Sequence, residues 1–345
     1  MIRYLIQKEF LQIRRNGFLP RLIIMFPIMI MCIMPWVMNQ EVKNVRVDVV
    51  DIDHTTHSQQ LVHQIEASNY FIFNGLKQTY QEALKDIETS KADIILEIRD
   101  GQYLIAANAV NGTKGSIGST YLSQIVSSDL LPLTTHLSPL FLYNKHLNYK
   151  VFMIPALFAI LLMLMTGFLP ALNIVGEKEK GTIEQINVTP VSKWSFILAK
   201  LIPYWLIALL LITICLVLSW LIYGITCQGP LLLVYLLAML LALFFSSLGL
   251  IISNYSDTMQ QAIFVMWFFV VNMLLLSGLF TPTRSMPDFA YLTTYINPMH
   301  YFIDAIRTVF VRGGGFLSIA HQVFALFAIS SVMGVWAVMS YRKNQ

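Results

Sequence analysis

Charged residues are scarce in this sequence. Asp, Glu, Lys and Arg together make up 12% of the 345 residues, whereas a soluble domain carries about 25%. Hydrophobic residues account for 56%, and they gather into runs of the roughly 20 residues that a helix needs to cross a bilayer. We therefore predict a polytopic α-helical membrane protein with six transmembrane helices, at about 22–38, 151–175, 196–222, 230–252, 260–280 and 319–340.

Patterns that carry catalytic or binding chemistry are also missing. The sequence has no Gly-Lys dipeptide, which excludes a Walker A phosphate-binding loop, so we expect neither an enzyme nor a cofactor bound by this chain. The three cysteines have no metal-ligand or pairing pattern, and no metal is expected. In the second to sixth spans the one Asp, Glu, Lys or Arg is Lys200, near a helix entrance. This argues against an ion-coupled transporter, which usually needs such groups inside the membrane.

The basic residues predict how the chain crosses the membrane. They form three groups, which precede the first span, follow the second and follow the last. The positive-inside rule places all three groups in the cytoplasm, and six spans satisfy this requirement. We expect a multi-pass protein of the cell inner membrane with both termini cytoplasmic.

Three regions follow from this topology. Residues 1–38 are an amphipathic N-terminal helix plus the first span, residues 39–150 an extracytoplasmic domain, and residues 151–345 the other five spans. The amphipathic assignment depends on one apolar face, made of Ile2, Ile6, Phe10 and Ile13, at helical spacing. We expect this helix to lie on the membrane with Lys8, Arg14 and Arg15 toward the other side.

The polar residues 39–150 predict a small α/β domain. Segments at 45–50, 70–73 and 93–98 read as strands, and they alternate with a helix capped by Ser58 and a second helix near 78–89. Histidines and aspartates share the turn after the first strand, namely Asp51, Asp53, His54, His57 and His63. They suit either a metal site or a strand-to-helix turn, where Asp and Ser are common, and we favour the turn.

The loop after the second span is dense in charge and in helix signals. Gly181 is predicted to end the descending helix, and Thr182 with Gln185 forms a capping box for a new helix. Glu184 stands in the first turn of that helix, where the helix dipole favours an acid. The residues alone fit a solvated hairpin as well as they fit a rigid helix at 177–190 that docks into a partner.

The segment 281–318 is too often interrupted to span a membrane. Pro282, Pro287, Pro298 and the glycines at 313–315 break its apolar stretches. Because irregular backbone at membrane depth must be buried by protein, we predict a re-entrant pair of short helices in the outer leaflet. Asp304 and Arg307, three residues apart, can pair and fix one helix or bind cargo, and we favour pairing.

Three motifs resemble those of ABC-2-type export permeases. Glu-Lys-Glu-Lys-Gly-Thr-Ile-Glu-Gln at 177–185, with Thr-Pro-Val-Ser at 189–192, resembles the coupling helix that contacts the nucleotide-binding subunit. Leu-Ser-Gly-Leu-Phe-Thr-Pro at 276–282, Ser-Met-Pro at 285–287, Asn-Pro at 297–298 and Asp-Ala-Ile-Arg at 304–307 resemble the outer re-entrant segment. Val-Asp-Ile-Asp-His at 50–54 resembles the opening of the external domain in the drug-export branch.

The resemblance covers essentially the whole chain and implies roles for particular residues. It implies ATPase coupling by Glu177, Lys178, Glu179, Lys180, Gly181, Thr182, Glu184 and Gln185. It places in the outer re-entrant segment Pro282, Met286, Pro287, Asn297, Pro298, Asp304, Arg307 and Gly313. It further implies an ABC ATPase subunit that carries ATP and Mg²⁺, a dimer with a second copy or a paralogue, and no nucleic-acid partner.

The predicted function is that of the permease subunit of an ABC exporter. It would move a small, drug-like amphiphile outward with ATP hydrolysed by the separate subunit, and its external domain is large enough to receive a periplasmic adaptor. The alternative is a membrane-anchored sensor or assembly factor that binds a ligand through the external domain. A sensor would not need five nearly uncharged spans, and stable association with an ATP-binding protein would separate the two hypotheses.

Overall fold

The chain divides into two units, residues 1–39 with 141–345 and residues 40–140. The structure is a computed structural model, and it describes residues 2–37, 45–68, 70–89, 91–108, 112–130, 149–182, 192–280, 283 and 286–341. The elements in chain order are α1 (Ile2–Arg15), α2 (Leu19–Val37), β1 (Val45–Asp51), α3 (Thr56–Ala67), β2 (Phe71–Leu76), α4 (Tyr80–Glu88), β3 (Ile94–Arg99), β4 (Gln102–Ala107), α5 (Gly112–Leu130), α6 (Tyr149–Met163), α7 (Leu169–Glu179), α8 (Lys193–Tyr223), α9 (Leu231–Tyr255), α10 (Met259–Leu275), α11 (Asp288–Thr294), α12 (Pro298–Phe310) and α13 (Phe316–Ser340).

Long apolar helices build the first unit. Within the described ranges, five are long and apolar enough to cross a membrane: α2, the continuous α6–α7 stretch, α8, α9 and α13. They correspond to the predicted first, second, third, fourth and sixth spans, which are confirmed as apolar helices. The predicted fifth span, 260–280, is the shorter α10, which ends at Leu275. α9 lies at the centre of this unit, packed against α7, α8, α12 and α13.

A π-helical turn at Leu164–Phe168 separates α6 from α7. Pro170 has no N–H to donate to the Thr166 carbonyl, so the regular α-helical hydrogen bond is missing there. The Thr166 hydroxyl donates to the carbonyl oxygen of Leu162, one turn earlier, at 2.7 Å. α9 approaches this turn closely, because a Cβ added to Gly249 would lie 2.5 Å from the carbonyl oxygen of Gly167.

The second unit contains a four-stranded sheet in the order β2-β1-β3-β4. β1 runs parallel to β2 and β3, and β4 is antiparallel to β3. Side chains of β1 alternate between two cores, one shared with α3 and α5 and one shared with α4. The three predicted strands are confirmed with boundaries shifted by up to three residues. β4 was not predicted, although Asp100 and Gly101, both with positive φ, are a common hairpin turn.

The turn after β1 differs in one detail from its prediction. Thr55, not Ser58, is the N-cap of α3, because the Thr55 side chain accepts the Ser58 N–H. Ser58 is buried and donates to Asp51 Oδ2 at 2.6 Å. Asp51 Oδ1 accepts the N–H groups of Asp53 and His54, so the strand-to-helix turn accounts for these residues. No group of three His, Cys, Asp or Glu residues in the described ranges is arranged to hold a metal ion.

Candidate functional site

The predicted coupling segment begins at the end of α7. The helix ends at Glu179, and Gly181 follows with φ of +69°, a left-handed conformation that favours glycine. The predicted helix break at Gly181 is therefore confirmed. The Thr182 hydroxyl donates back to Glu177 O at 3.1 Å. Glu184 and Gln185, and with them the predicted capping box and most of the 177–190 helix, lie outside the described residues.

Two charged side chains join this end of α7 to the turn between α9 and α10. Lys178 Nζ donates to Asp257 Oδ1 and to Ser256 O, both at 2.9 Å. Glu179 Oε1 accepts the N–H of Met259, the first residue of α10, at 2.7 Å. That N–H has no partner within its own helix and lies at the positive end of the helix dipole, so the carboxylate stabilises the start of α10. The Lys180 side chain is exposed.

Glu177 faces the interior of the helical unit. Its side chain is 6% exposed, and each carboxylate oxygen accepts from a lysine of another helix. Oε1 accepts from Lys8 Nζ on α1 at 2.8 Å, and Oε2 accepts from Lys200 Nζ on α8 at 2.5 Å. Lys200 was expected near a helix entrance, but its side chain is 1% exposed. One carboxylate thus joins α1, α7 and α8.

A second buried carboxylate, Glu9 on α1, completes the cluster. Its Oε1 lies 2.8 Å from Lys200 Nζ and 3.2 Å from Lys8 Nζ. Its Oε2 accepts from Asn173 Nδ2 at 3.1 Å, and Asn173 Oδ1 accepts from Gln12 Nε2 at 2.8 Å. These residues are named the inner polar network: Lys8, Glu9, Gln12, Asn173, Glu177 and Lys200.

Charge balance explains how this network tolerates burial. Transfer of a charge from water to a protein interior costs several kcal/mol per ion, which only close opposite charges and hydrogen bonds offset. The network holds two lysines and two glutamates, and all four carboxylate oxygens have a partner. At Lys8 burial lowers the pKa, but the hydrogen bond to Glu177 and the two carboxylate charges outweigh this and raise it above its ordinary value. Lys8 therefore stays charged at neutral pH.

The predicted outer segment forms a pair of short helices, α11 and α12. Asn297 fixes the start of α12, since its Oδ1 accepts the Met299 N–H at 3.0 Å. Its Nδ2 donates to Met273 O of α10 at 2.8 Å, which joins the two helices. Pro298 follows at the first helical position, where a missing N–H costs nothing.

The other predicted residues of this segment lie at its ends. Pro287 immediately precedes α11, and the Met286 N–H donates to Thr283 O. Gly313 lies against Gln228 and has φ of +71°, a left-handed conformation that favours glycine. Pro282 lies outside the described residues.

The predicted pairing of Asp304 with Arg307 is wrong. Asp304 Oδ2 accepts from Gln322 Nε2 of α13 at 2.7 Å. The Arg307 guanidinium lies 3.6 Å from the centre of the Phe152 ring on α6, and its Nη1 donates to Gly278 O at 3.4 Å. A planar guanidinium stacks well on an aromatic face, so each side chain holds α12 to a different neighbouring element.

Comparison with known proteins decides the family. A family model described as ABC-2 family transporter protein matches residues 21–339. The chain belongs to the ABC-2 family of transporters. The match begins in α2 and ends in α13, so it includes both the end of α7 and the α11–α12 pair.

Curated relatives of this ABC-2 protein are permeases. It is 27% identical over 360 residues to the probable multidrug ABC transporter permease YbhR of Escherichia coli, with 99% of this chain and 98% of the relative covered. It is 24% identical over 364 residues to the probable multidrug ABC transporter permease YbhS, with 96% and 93% covered. The inner membrane transport permease YhhJ is 22% identical over 262 residues, 72% and 70% of the two chains. The chain is thus a membrane transport protein of the ABC-2 family, and it is similar over most of its length to proteins named as transport permeases.

The part of the ABC-2 site that sequence analysis missed lies on α1. Ile2 and Phe10 of the predicted apolar face are exposed, whereas Glu9 and Ile13 are buried. The face of α1 that packs against the other helices therefore differs from the predicted face, and it includes the carboxylate of Glu9. Glu9 stands four residues after Leu5 and four before Ile13, and a charge at that spacing within an apolar stripe is the signal that could have located it.

Proposed function

We propose that this ABC-2 protein is the transmembrane subunit of an ABC exporter. It moves a small, drug-like amphiphile outward with ATP hydrolysed by a separate nucleotide-binding subunit, which carries ATP and Mg²⁺. Two relatives named as multidrug ABC transporter permeases support this, since each aligns over more than nine-tenths of both chains. The lack of a Walker A pattern in this sequence agrees with an ATPase on another chain.

We propose six spans, with both termini in the cytoplasm and residues 39–150 on the extracytoplasmic side of the inner membrane. The fifth of these spans is α10, whose 17 residues extend about 25 Å at 1.5 Å each. This is slightly short of a hydrocarbon core of about 30 Å, and the apolar residues that follow Leu275 make up the difference. The lysines at the end of α7 and the start of α8, namely Lys178, Lys180 and Lys193, support this orientation by the positive-inside rule.

The observation that carries the coupling proposal is the position of Glu177. It lies two residues before the exposed Glu179 and is itself hydrogen-bonded to α1 and α8, while Glu179 is hydrogen-bonded to α10. A partner that pushes on residues 181–190 therefore acts on four helices at once. In this proposal Glu184 and Gln185 contact the ATPase. Glu177, Lys178 and Glu179 transmit the movement within the permease.

Co-purification with a candidate ATPase tests this division of roles. Glu184→Lys should reduce the amount of ATPase that co-purifies, because it reverses a charge on the docking segment. Glu177→Gln should leave the complex intact but reduce the stimulation of ATP turnover by a transported drug, because it removes the charge that both lysines contact. Asp288→Asn, at the start of α11, is the control and should change neither. If Glu177 and Glu184 substitutions leave both measurements unchanged, the coupling assignment is wrong.

The assembly is also part of the proposal. Two copies, or one copy and a paralogue, form the pathway between them, and the external unit receives a periplasmic adaptor. The exposed surface of α10 supports a second chain or lipid there, because it presents six large apolar side chains, three of them aromatic. They are Phe264, Val265, Trp267, Phe268, Val271 and Leu275.

A further inference from the structure

A cavity of about 560 Å³ lies beside the inner polar network. Its walls come from α1, the turn after it, the start of α2, α7 with the residues that follow it, and the first residue of α10. Leucines form much of the lining, namely Leu19, Leu22, Leu169 and Leu172, and Lys8 and Lys180 add two ammonium groups. Binding sites for small amphiphiles commonly have this volume and this mixture of apolar walls with few polar groups.

The charges at the cavity favour an anion. Lys8 and Lys180 contribute two positive charges and Glu177 one negative charge to the lining, a sum of +1. Adding Lys200 and Glu9, which lie directly behind Glu177, leaves that sum unchanged. The Lys8 ammonium has three protons and gives two to Glu9 and Glu177. Lys180 has no side-chain partner among the described residues.

The surroundings of the cavity favour a lipid over a free anion. Two of its walls, α2 and α7, belong to long apolar helices, and a third is the amphipathic α1. Leu19, Leu22 and Leu172 are each only partly buried, so they offer apolar surface beside the two ammonium groups. A free phosphate would leave that surface in water, whereas an acyl chain would cover it.

We propose that this cavity binds an anionic phospholipid of the surrounding membrane. The headgroup phosphate accepts hydrogen bonds from Lys8 and Lys180, and one acyl chain lies along Leu19, Leu22 and Leu172. The lipid fills the space between α1 and α7 and so supports the helices that the inner polar network joins. This binding is independent of the transported substrate and of the proposed ATPase.

Titration of the purified full-length protein in a neutral detergent tests the proposal. The probes are dioctanoyl phosphatidylglycerol, dioctanoyl phosphatidylcholine and inorganic phosphate, with retained lipid counted by native mass spectrometry. Phosphatidylglycerol should bind at least tenfold more tightly than phosphatidylcholine, and inorganic phosphate should not displace it. Lys180→Gln removes a charged hydrogen-bond donor from an exposed position and should weaken phosphatidylglycerol binding about tenfold. Leu172→Trp fills the cavity and should abolish binding.

Lys193→Gln is the matched control, because Lys193 is an exposed lysine at the start of α8 and does not line the cavity. It should bind phosphatidylglycerol like the wild type. Equal binding of the two lipids, or equal losses in the Lys180 and Lys193 variants, would overturn the proposal. Full displacement by inorganic phosphate would assign the site to a free anion instead. None of these outcomes bears on the proposed export function, which co-purification tests separately.

Discussion

Replacing Lys200 by methionine isolates the contribution of charge to the inner polar network. The two side chains are similar in length, so Lys200→Met removes an ammonium with little change in packing. That ammonium lies 2.8 Å from Glu9 and 2.5 Å from Glu177. Lys8 is then left with two carboxylates, and the buried network carries a net charge of −1.

The structure indicates that Lys200→Met causes a large loss of folding stability. Lys200 is 1% exposed and the two carboxylates are 3% and 6% exposed, so the value for surface pairs, about 0–1 kcal/mol, does not apply. Removal of one partner from a buried ion pair costs about 3–5 kcal/mol, because the other charge stays buried without compensation. Adding Glu9→Gln to Lys200→Met restores neutrality, and we expect it to recover about 2 kcal/mol of that loss.

Thermal unfolding of the purified proteins in one detergent measures this order. Wild type should unfold at the highest temperature, the double variant next and Lys200→Met at the lowest. Lys193→Met changes an exposed lysine on the same helix and should cost no more than about 0.5 kcal/mol. Unfolding of Lys200→Met at the wild-type temperature, or a lower unfolding temperature after Glu9→Gln is added to Lys200→Met, would refute this prediction.

Two further predictions concern other parts of the fold. Gly249→Ala should lower the yield of folded protein, because the new Cβ would lie 2.5 Å from Gly167 O. Gly334→Ala is the control and should not lower the yield, because its new Cβ would have no contact nearer than 3.8 Å. The amount of monodisperse protein recovered on size-exclusion chromatography compares the two variants. Asp48 is fully buried, and burial raises its pKa above the ordinary value. The folded form then keeps a proton that the unfolded form has lost, so stability falls as pH rises from about 3.9 through the raised pKa. Asp48→Asn should remove this fall and raise the unfolding temperature at pH 7, and an unchanged pH profile would contradict it.

The sequence was sufficient for most of the helices because the bilayer imposes a length and a composition on each. Gly181 was also placed correctly, since a left-handed residue at the end of a helix is a local requirement. The π-helical turn at Leu164–Phe168 was not foreseen, because a proline inside an apolar run does not reveal how the chain accommodates it. β4 was missed although Asp100 and Gly101 marked its turn, since its own residues alternate weakly.

The inner polar network was harder to predict from the sequence, because its members are far apart along the chain. Lys8 and Glu177 are separated by 169 residues and Glu9 and Asn173 by 164, so no local spacing connects them. A lysine close to a helix start, as Lys200 is, ordinarily extends its ammonium to water. The packing of α1 and α7 against α8 prevents this. Asp304 and Arg307 show the opposite error, since suitable spacing suggested a pair where each side chain has another partner.

The position of the buried charges limits how the helices can move in the proposed transport cycle. Separating α1, α7 and α8 would leave charges of the inner polar network exposed, or buried without a partner, at a cost of several kcal/mol. These three helices are therefore expected to move together. α6 is not bound by this network, and the π-helical turn at Leu164–Phe168 lies between it and α7. Such turns interrupt the regular hydrogen-bond ladder. A force applied after Gly181 would therefore tilt α1, α7 and α8 together as one body. The α6–α7 stretch would bend mainly at the π-helical turn, so that α6 would not move with that body.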